Sequence, residues 1–518
     1  MPMIFQQGQL NVAAQSAPGV LTQIVAPPSV IAGATTNGYG LVGVASWGPV
    51  NSPVLIGSPQ AASLQIGPVK VRKYDVATAL AIANLLGQYN NWCVRVTDGT
   101  DSAASVPLKD TTAVTPVTGA TLTGFYSGTL GNNISATIAA GTKPSTFKLT
   151  LAMAGFSPEV YDNLAGTGAT FWAALVSAVN NGQSSVRGPS QICVATIGTA
   201  TLSPALATYT LTGGTDGTSG VTDTSLIGSN NTTPVTGMYA LQSTAIQTLV
   251  LIDHTQSTDW STIAAFCASY GIFGAGQGSA GQSIATVGAA LNTAGVDTPW
   301  FKCLVGDWVY WNDTVNKQQR LVSPTLVWGP MRANRAPNDS TLNKQILGII
   351  GTQRSQQNLP YSTPELQAAC AARLDFIANP SAGGNYFSFQ TDRNTSSDAS
   401  TNSEAYTTMT NFLAATLGGT TFGYVVGDPQ TPTMRADVKD AMGAFLTTTW
   451  QTDGFIGDVN NPQAVPYKVT LDKSNNPNNN VALGVMAALV QVTYLSIVRV
   501  FLISLQGGST VSVDVQPA

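Results

Sequence analysis

The sequence predicts a multidomain α+β protein, on three observations. At 518 residues the chain exceeds what one hydrophobic core normally holds, at roughly 100–200 residues per domain. Short β-type runs broken by Gly and Pro begin near residue 18 and thicken into a Thr-, Ser- and Gly-dense region over 106–236. From 238 the texture becomes strand–helix–strand, the pattern of an α/β layer.

The elements follow in chain order. Residues 1–22 are polar and extended in character, a terminal arm. "YGLVGVASWGPVNSPVLIGS" supplies β runs, and "DVATALAIANLLGQYN" (75–90) has helical spacing with Asp75 as its N-cap. "NWCVRVTDGTD" reads as a strand and a turn. Within 106–236, "STFKLTLAMAG" alternates as a strand does and "ATFWAALVSAVNNG" as a helix. "IQTLVLID", "STDWSTIAAFCASYG", "SIATVGAALNTAG" and "FKCLVGDWVYWND" then alternate strand and helix. Helical patterns recur at 364–378, 403–417 and 432–449. The segment 481–505 is long enough to span a bilayer, but Arg499 lies inside it and its second part is β-branched. Two successive strands buried on both faces is the preferred reading. In the closing "GGSTVSVDVQPA", Val511, Val513 and Val515 alternate with polar residues after Gly507 and Gly508, giving a short strand on a hinge.

Composition narrows the function classes. Charged residues are 9% of the chain against a typical ~25%, while hydrophobic residues are 43%. A chain so poor in charge points to surface buried in an assembly. The net charge of −4, without a basic tail, argues against sequence-independent nucleic-acid binding. The five cysteines, Cys93, Cys193, Cys267, Cys303 and Cys370, are widely spaced and form no CxxC, so they read as buried reduced thiols. The N-terminus has no secretory pattern.

Chemistry is thinly represented. Gly276, Gly278 and Gly281 in "GAGQGSAG" have GxGxxG spacing, but the preceding segment reads as helix and Asp297 falls too early for a ribose carboxylate, so a flexible surface loop is preferred. Asp253 and His254 follow a strand, the best enzymatic pair, yet no serine elbow or second histidine joins them; a polar loop pair is preferred. Trp300, Trp308, Trp311 and Trp328 suit a core or a subunit contact better than a carbohydrate platform. No carboxylate cluster resembles a calcium loop. These residues indicate no enzyme, cofactor or metal. Exposed strands and arms at both ends instead favour pairing between copies, and a contact that does not close gives a helical polymer.

Several stretches, in order, resemble the sheath proteins of contractile bacteriophage tails, a family shared with pyocin-type particles. They are "PGVLTQIVAPPSVIAGATTNGYGLVGVASWGPVNSPVLIGS", "NWCVRVTDGTD", "FYSGTLGNNISATI", "SPEVYDNLAG", "LTGGTDG", "YFSFQTDRNTSS" and "YKVTLDKSNNPNNNVALGVMAALVQVTYLSIVRVFLIS". Arg393 matches the family's "G.RT" element although its neighbours do not, and the ending lacks the family's usual proline.

The resemblance implies an inner α/β domain from N- and C-terminal parts, with inserted β-rich and α/β outer domains and extended terminal arms. In this sequence that corresponds to an arm at 1–22, an inner core domain in two parts at 23–105 and 379–505, a β-rich outer insertion at 106–236, an α/β middle domain at 237–378 and an arm at 506–518. It further implies a virion protein, assembled in the host cytoplasm, that polymerises around a tail tube and contracts to drive it through the host envelope. Its partners would be further copies of itself, the tail tube protein, and baseplate and tail terminator proteins, with no nucleic acid and no membrane insertion. Val511, Val513 and Val515 would pair with another copy, with Gly507 and Gly508 as hinge. Arg435, Asp437, Lys439 and Asp440 concentrate charge in one helical stretch and are the candidate tube contact. The alternative is a non-contractile surface-layer or capsid-type protein.

Overall fold

The computed structural model describes residues 4–7, 21–24 and 31–502. They fall into two units. The larger is Thr35–Thr408 with the described residues from Ile497 on; the smaller is Met409–Ser496 with the described residues up to Ala34.

The larger unit is built on a seven-stranded sheet in the order Leu374–Asp375, Phe301–Leu304, Phe273–Gln277, Thr248–Leu251, Tyr39–Gly43, Asn91–Arg95, Pro53–Ile56. All neighbours are parallel except the last pair. Side chains alternate between two cores. Leu41, Cys93, Val250, Phe273 and Leu304 face one, with the helices Val76–Leu85 and Thr325–Ala333; Val42, Val94, Leu249, Phe301 and Cys303 face the other, with Trp260–Tyr270 and Ile284–Thr293. A parallel sheet covered on both faces accounts for these near-continuous apolar runs. Asp75 caps its helix as expected, accepting from the Thr78 N–H at 2.9 Å. Four cysteines are buried and Cys370 is half-buried, all as free thiols.

A separate core fills the insertion. One antiparallel sheet runs Glu159–Leu164, Phe147–Ala152, Ser135–Ala140, Thr208–Thr210, and a second runs Cys193–Ile197, Thr118–Gly124, Ser105–Lys109. The helix Ala169–Asn181 contributes Phe171, Trp172, Leu175 and Val179 to this core. In the smaller unit, Met409, Phe412 and Leu413 meet Val438, Met442, Phe445 and Leu446 of the helix Pro432–Gln451, beside the antiparallel pair Tyr467–Thr470 and Leu489–Val492. Ile4–Gln7 and Leu21–Ile24 pair in parallel.

The structure corrects four expectations. Strands from 23–105 and from 237–378 share one sheet, because Tyr39–Gly43 lies between Asn91–Arg95 and Thr248–Leu251; they are not separate layers. The helix expected over 364–378 ends at Ala371: Arg373 takes a φ of 61° and the chain turns into the strands Leu374–Asp375 and Ile377–Ala378. Of the glycines of "GAGQGSAG", Gly281 lies in an exposed turn, but Gly276 sits in a buried strand, where a Cβ would lie 2.5 Å from Phe301 and 2.8 Å from Trp260, and one on Gly278 would meet Val287 at 2.4 Å, so these two are not in a surface loop. Finally, the described part of 481–505, up to Leu502, does not form two buried strands. It gives the end of a short helix, Asn478–Ala482, then the strand Leu489–Val492, and from Leu495 to Leu502 no regular structure. Among the described residues no helix is long and apolar enough to cross a membrane.

Gly119 is set by close approach: a Cβ there would lie 1.9 Å from the Trp172 ring, which is 1% exposed and donates its indole N–H to the Leu202 carbonyl at 3.0 Å. Gly119→Val therefore forces this core apart and should lower stability by about 2–3 kcal/mol, as overpacking does. Urea unfolding followed by tryptophan fluorescence would show an unshifted midpoint if the ring can move aside.

Candidate functional site

Four of the signature stretches meet at one place, the neck where the insertion leaves and rejoins the sheet. Its stem is antiparallel, with Ser102 opposite Thr215 and Ser105 opposite Thr212. Arg95, the last residue of its strand and 2% exposed, donates to the carbonyls of Gly48 (2.9 Å), Ser127 (2.7 Å) and Asp216 (3.3 Å). The Asp216 carboxylate accepts from Arg72 (2.7 Å), Lys70 (3.2 Å), the Ser46 hydroxyl (3.2 Å) and the Thr129 N–H (2.6 Å). Asn132 exchanges two hydrogen bonds with the Gly214 backbone, at 2.8 and 3.0 Å. Burial pushes the Asp216 carboxyl up, but the Thr129 donors and the Lys70 and Arg72 charges outweigh it and hold its pKa at about 2.

A second charged cluster lies at the far edge of the sheet. Lys302, Asp375 and Glu404 are all fully buried. Lys302 Nζ is 2.8 Å from Asp375 Oδ2 and 3.3 Å from Glu404 Oε2, and it donates to the Thr391 and Arg393 carbonyls, each at 3.3 Å. Burial opposes the Lys302 ammonium, yet the two carboxylates outweigh it and raise its pKa. Burial raises Asp375. It would raise Glu404 as well, but Lys302 and the buried Arg332 hold that carboxyl down. Nothing in the sequence pattern singles these residues out; the available signal is a lone lysine inside the apolar run "FKCLV".

Beside this cluster the "YFSFQTDRNTSS" stretch meets the C-terminal one. Arg499 grips Asp392 with two nitrogens, at 2.6 and 3.1 Å, and donates to Asn402 at 2.9 Å. Around that anchor Val498, Val500, Phe501 and Leu502 are 73–82% exposed. In the smaller unit a groove of about 630 Å³ is lined by Phe422, Val425, Met434, Met442, Val485 and Met486, near exposed Val426 and Leu483.

The sequence-derived candidates distribute as follows. Asp437, Lys439 and Asp440 are exposed and Arg435 half-buried, all on the helix Pro432–Gln451. Val511, Val513, Val515, Gly507 and Gly508 lie outside the described residues. Asp253 and His254 are adjacent but their side chains have different partners. Asp253, at a φ of 50°, accepts from the Tyr74 N–H at 3.3 Å, whereas His254 is 2% exposed with Nε2 3.1 Å from Asp259. Burial lowers the His254 pKa, so the ring is neutral at pH 7. Trp311 and Trp328 are core residues, and Trp308 donates to the Gly278 carbonyl at 3.0 Å.

No family model matches the sequence, and no curated protein matches it. Solved structures do. The sheath tail protein from Listeria innocua matches with a TM-score of 0.60 at 14% identity, over 89% of this chain and 96% of that one. The sheath tail protein from Desulfitobacterium hafniense matches with 0.56 at 14% identity, over 88% and 94%. The helical sheath of the anti-feeding prophage in its contracted state matches with 0.53 at 11% identity, over 95% and 99%. The chain therefore has the mixed α/β, multi-sheet fold of contractile sheath proteins, as the ordered motifs implied.

Asp216→Asn should cost about 3 kcal/mol at pH 7, as removing one partner of a buried pair does. A carboxyl lowered to about 2 from an ordinary ~3.9 stabilises fully above the higher value and less as pH falls toward the lower. The gap between wild type and variant should therefore close between about pH 4 and pH 2. Denaturant titrations across that range would contradict the assignment if the gap stayed constant.

Proposed function

We propose that this chain is a tail sheath subunit that polymerises helically around a tail tube and contracts to drive that tube through a host cell envelope. The observation that carries this reading is the extent of the likeness: the sheath fold is matched over 88–95% of the chain, in one case by a sheath in its contracted state. Composition and surface agree with it. Charge is 9% of residues, and the segment after Arg499 and the groove of the smaller unit expose apolar surface that a free monomer would cover. In this reading the N- and C-terminal parts face the tube, the insertion 106–236 faces outward, and the partners are further copies, a tube protein, and baseplate and terminator proteins. The particle is a virion tail.

Electron microscopy of the purified chain, alone and with its tube protein, tests the reading. Hollow striated tubes are expected, narrower around the tube than alone; flat sheets or closed shells would favour a surface-layer or capsid-type protein instead. Deleting 507–518, with the Gly507–Gly508 hinge and the Val511, Val513, Val515 strand, should leave a folded protein that forms no stable tubes. Charge reversal at Arg435 and Lys439, beside Asp437 and Asp440, should weaken co-assembly with the tube at least tenfold while leaving self-assembly intact. Unchanged co-assembly would remove that helix from the tube interface.

A further inference from the structure

We propose that Lys302 and Asp375 condense into an intramolecular amide, with Glu404 as the proton carrier. Lys302 and Asp375 lie on neighbouring parallel strands, where Leu304 is in register with Asp375, so the two are diagonal neighbours on one face of the sheet. They meet in a fully buried site on the face that carries Leu304 and Trp328.

The Asp375 carboxyl is arranged as an acyl centre. Its Oδ1 accepts three backbone N–H groups, from Phe376 (2.8 Å), Thr391 (2.9 Å) and Gln390 (3.2 Å). Three fixed donors on one oxygen form an oxyanion hole, strongest where water is excluded. Its Oδ2 has no well-aligned hydrogen bond and faces Lys302 Nζ at 2.8 Å. Glu404 Oε2 stands 3.3 Å from the same nitrogen, held by the Trp328 indole N–H at 3.3 Å and by the Thr341 N–H on its other oxygen.

The step balances without a cofactor. The ammonium passes one proton to Asp375 Oδ2, giving amine and carboxylic acid. Nζ attacks Cγ, and the charge gathers on Oδ1. Glu404 takes a second proton from nitrogen and delivers it to Oδ2; the Cγ–Oδ2 bond breaks and one water leaves. The remaining amide N–H keeps an acceptor in the Thr391 carbonyl. Charge balance supports the outcome. Condensation removes one buried cation and one buried anion, ending the desolvation cost of both, and leaves Glu404 facing Arg332 and Asp392 paired with Arg499.

The condensation involves the larger unit alone and does not depend on the sheath reading. Intact mass spectrometry of the denatured full chain decides it: the wild type should be lighter by one water than its sequence. In a tryptic digest cleavage after Lys302 should be blocked and the peptide 374–393 should be recovered joined to the peptide carrying Lys302. Glu404→Gln should restore the full mass and the separate peptides. A wild-type chain at full sequence mass, with free 374–393 and cleavage after Lys302, overturns the proposal. So does a loss of water located on any other peptide. Both of these outcomes are read on the wild type, so they stand even if the variant fails to fold.

Discussion

A single carboxylate, Asp216, ties together segments that are otherwise free to part. The chain leaves the central sheet after Arg95, builds an independent core of two antiparallel sheets and a helix, and must return close to its exit so that Thr248–Leu251 can pair with Tyr39–Gly43. Asp216 gathers Lys70 and Arg72 from before the insertion, Thr129 from within it and Ser46 beside the sheet, while Arg95 holds the carbonyl of the same residue. A charged hydrogen-bond network of this kind resists opening because its buried members, Asp216 and Arg95, would be left unpaired. The glycines around it have a steric cause: a Cβ on Gly128, at a φ of 128°, would lie 2.1 Å from the Ser46 carbonyl. Four of the motif stretches thus share a spatial reason, since each supplies residues to the neck.

Several of the few charges of this chain lie inside. Arg95, Lys302, Arg332, Asp216, Asp375, Asp392 and Glu404 are all buried, out of 22 basic and 26 acidic residues. With charge at 9% of the chain, much of the surface polarity comes from hydroxyls and amides. Contacts made by such a surface depend on shape, apolar area and neutral hydrogen bonds, which salt screens little.

Much of the fold was legible in the sequence because its helices are locally specified. Asp75 before an apolar run at helical spacing marks a start, and Gly271 in the left-handed region, φ 64°, marks a stop after Tyr270. What stays hidden in the sequence is what depends on partners. The strand Leu374–Asp375 has two residues and exists because Cys303 and Leu304 stand beside it, a fact no local pattern carries. The run after residue 493 misleads for the complementary reason: alternating apolar residues state that a strand can form, not that its partner lies in the same chain. The Lys302 cluster assembles from three distant segments, so only the topology reveals it. Pro432–Gln451 was legible as a helix, but its charges carry no local sign of what they meet.

The anchor at Arg499 has a mechanical consequence. The described residues beyond it, Val500, Phe501 and Leu502, are apolar, exposed and without regular structure. Tension applied from their side therefore reaches the bidentate contact with Asp392 first. Asp392 also accepts from Ser403 at 2.7 Å, and its carbonyl accepts from the Glu404 N–H at 2.8 Å. A pull would therefore pass from Asp392 to Ser403 and Glu404, at the start of a helix. Several hydrogen bonds, those of Arg499 with Asp392 and Asn402 among them, hold this joint together under such a load.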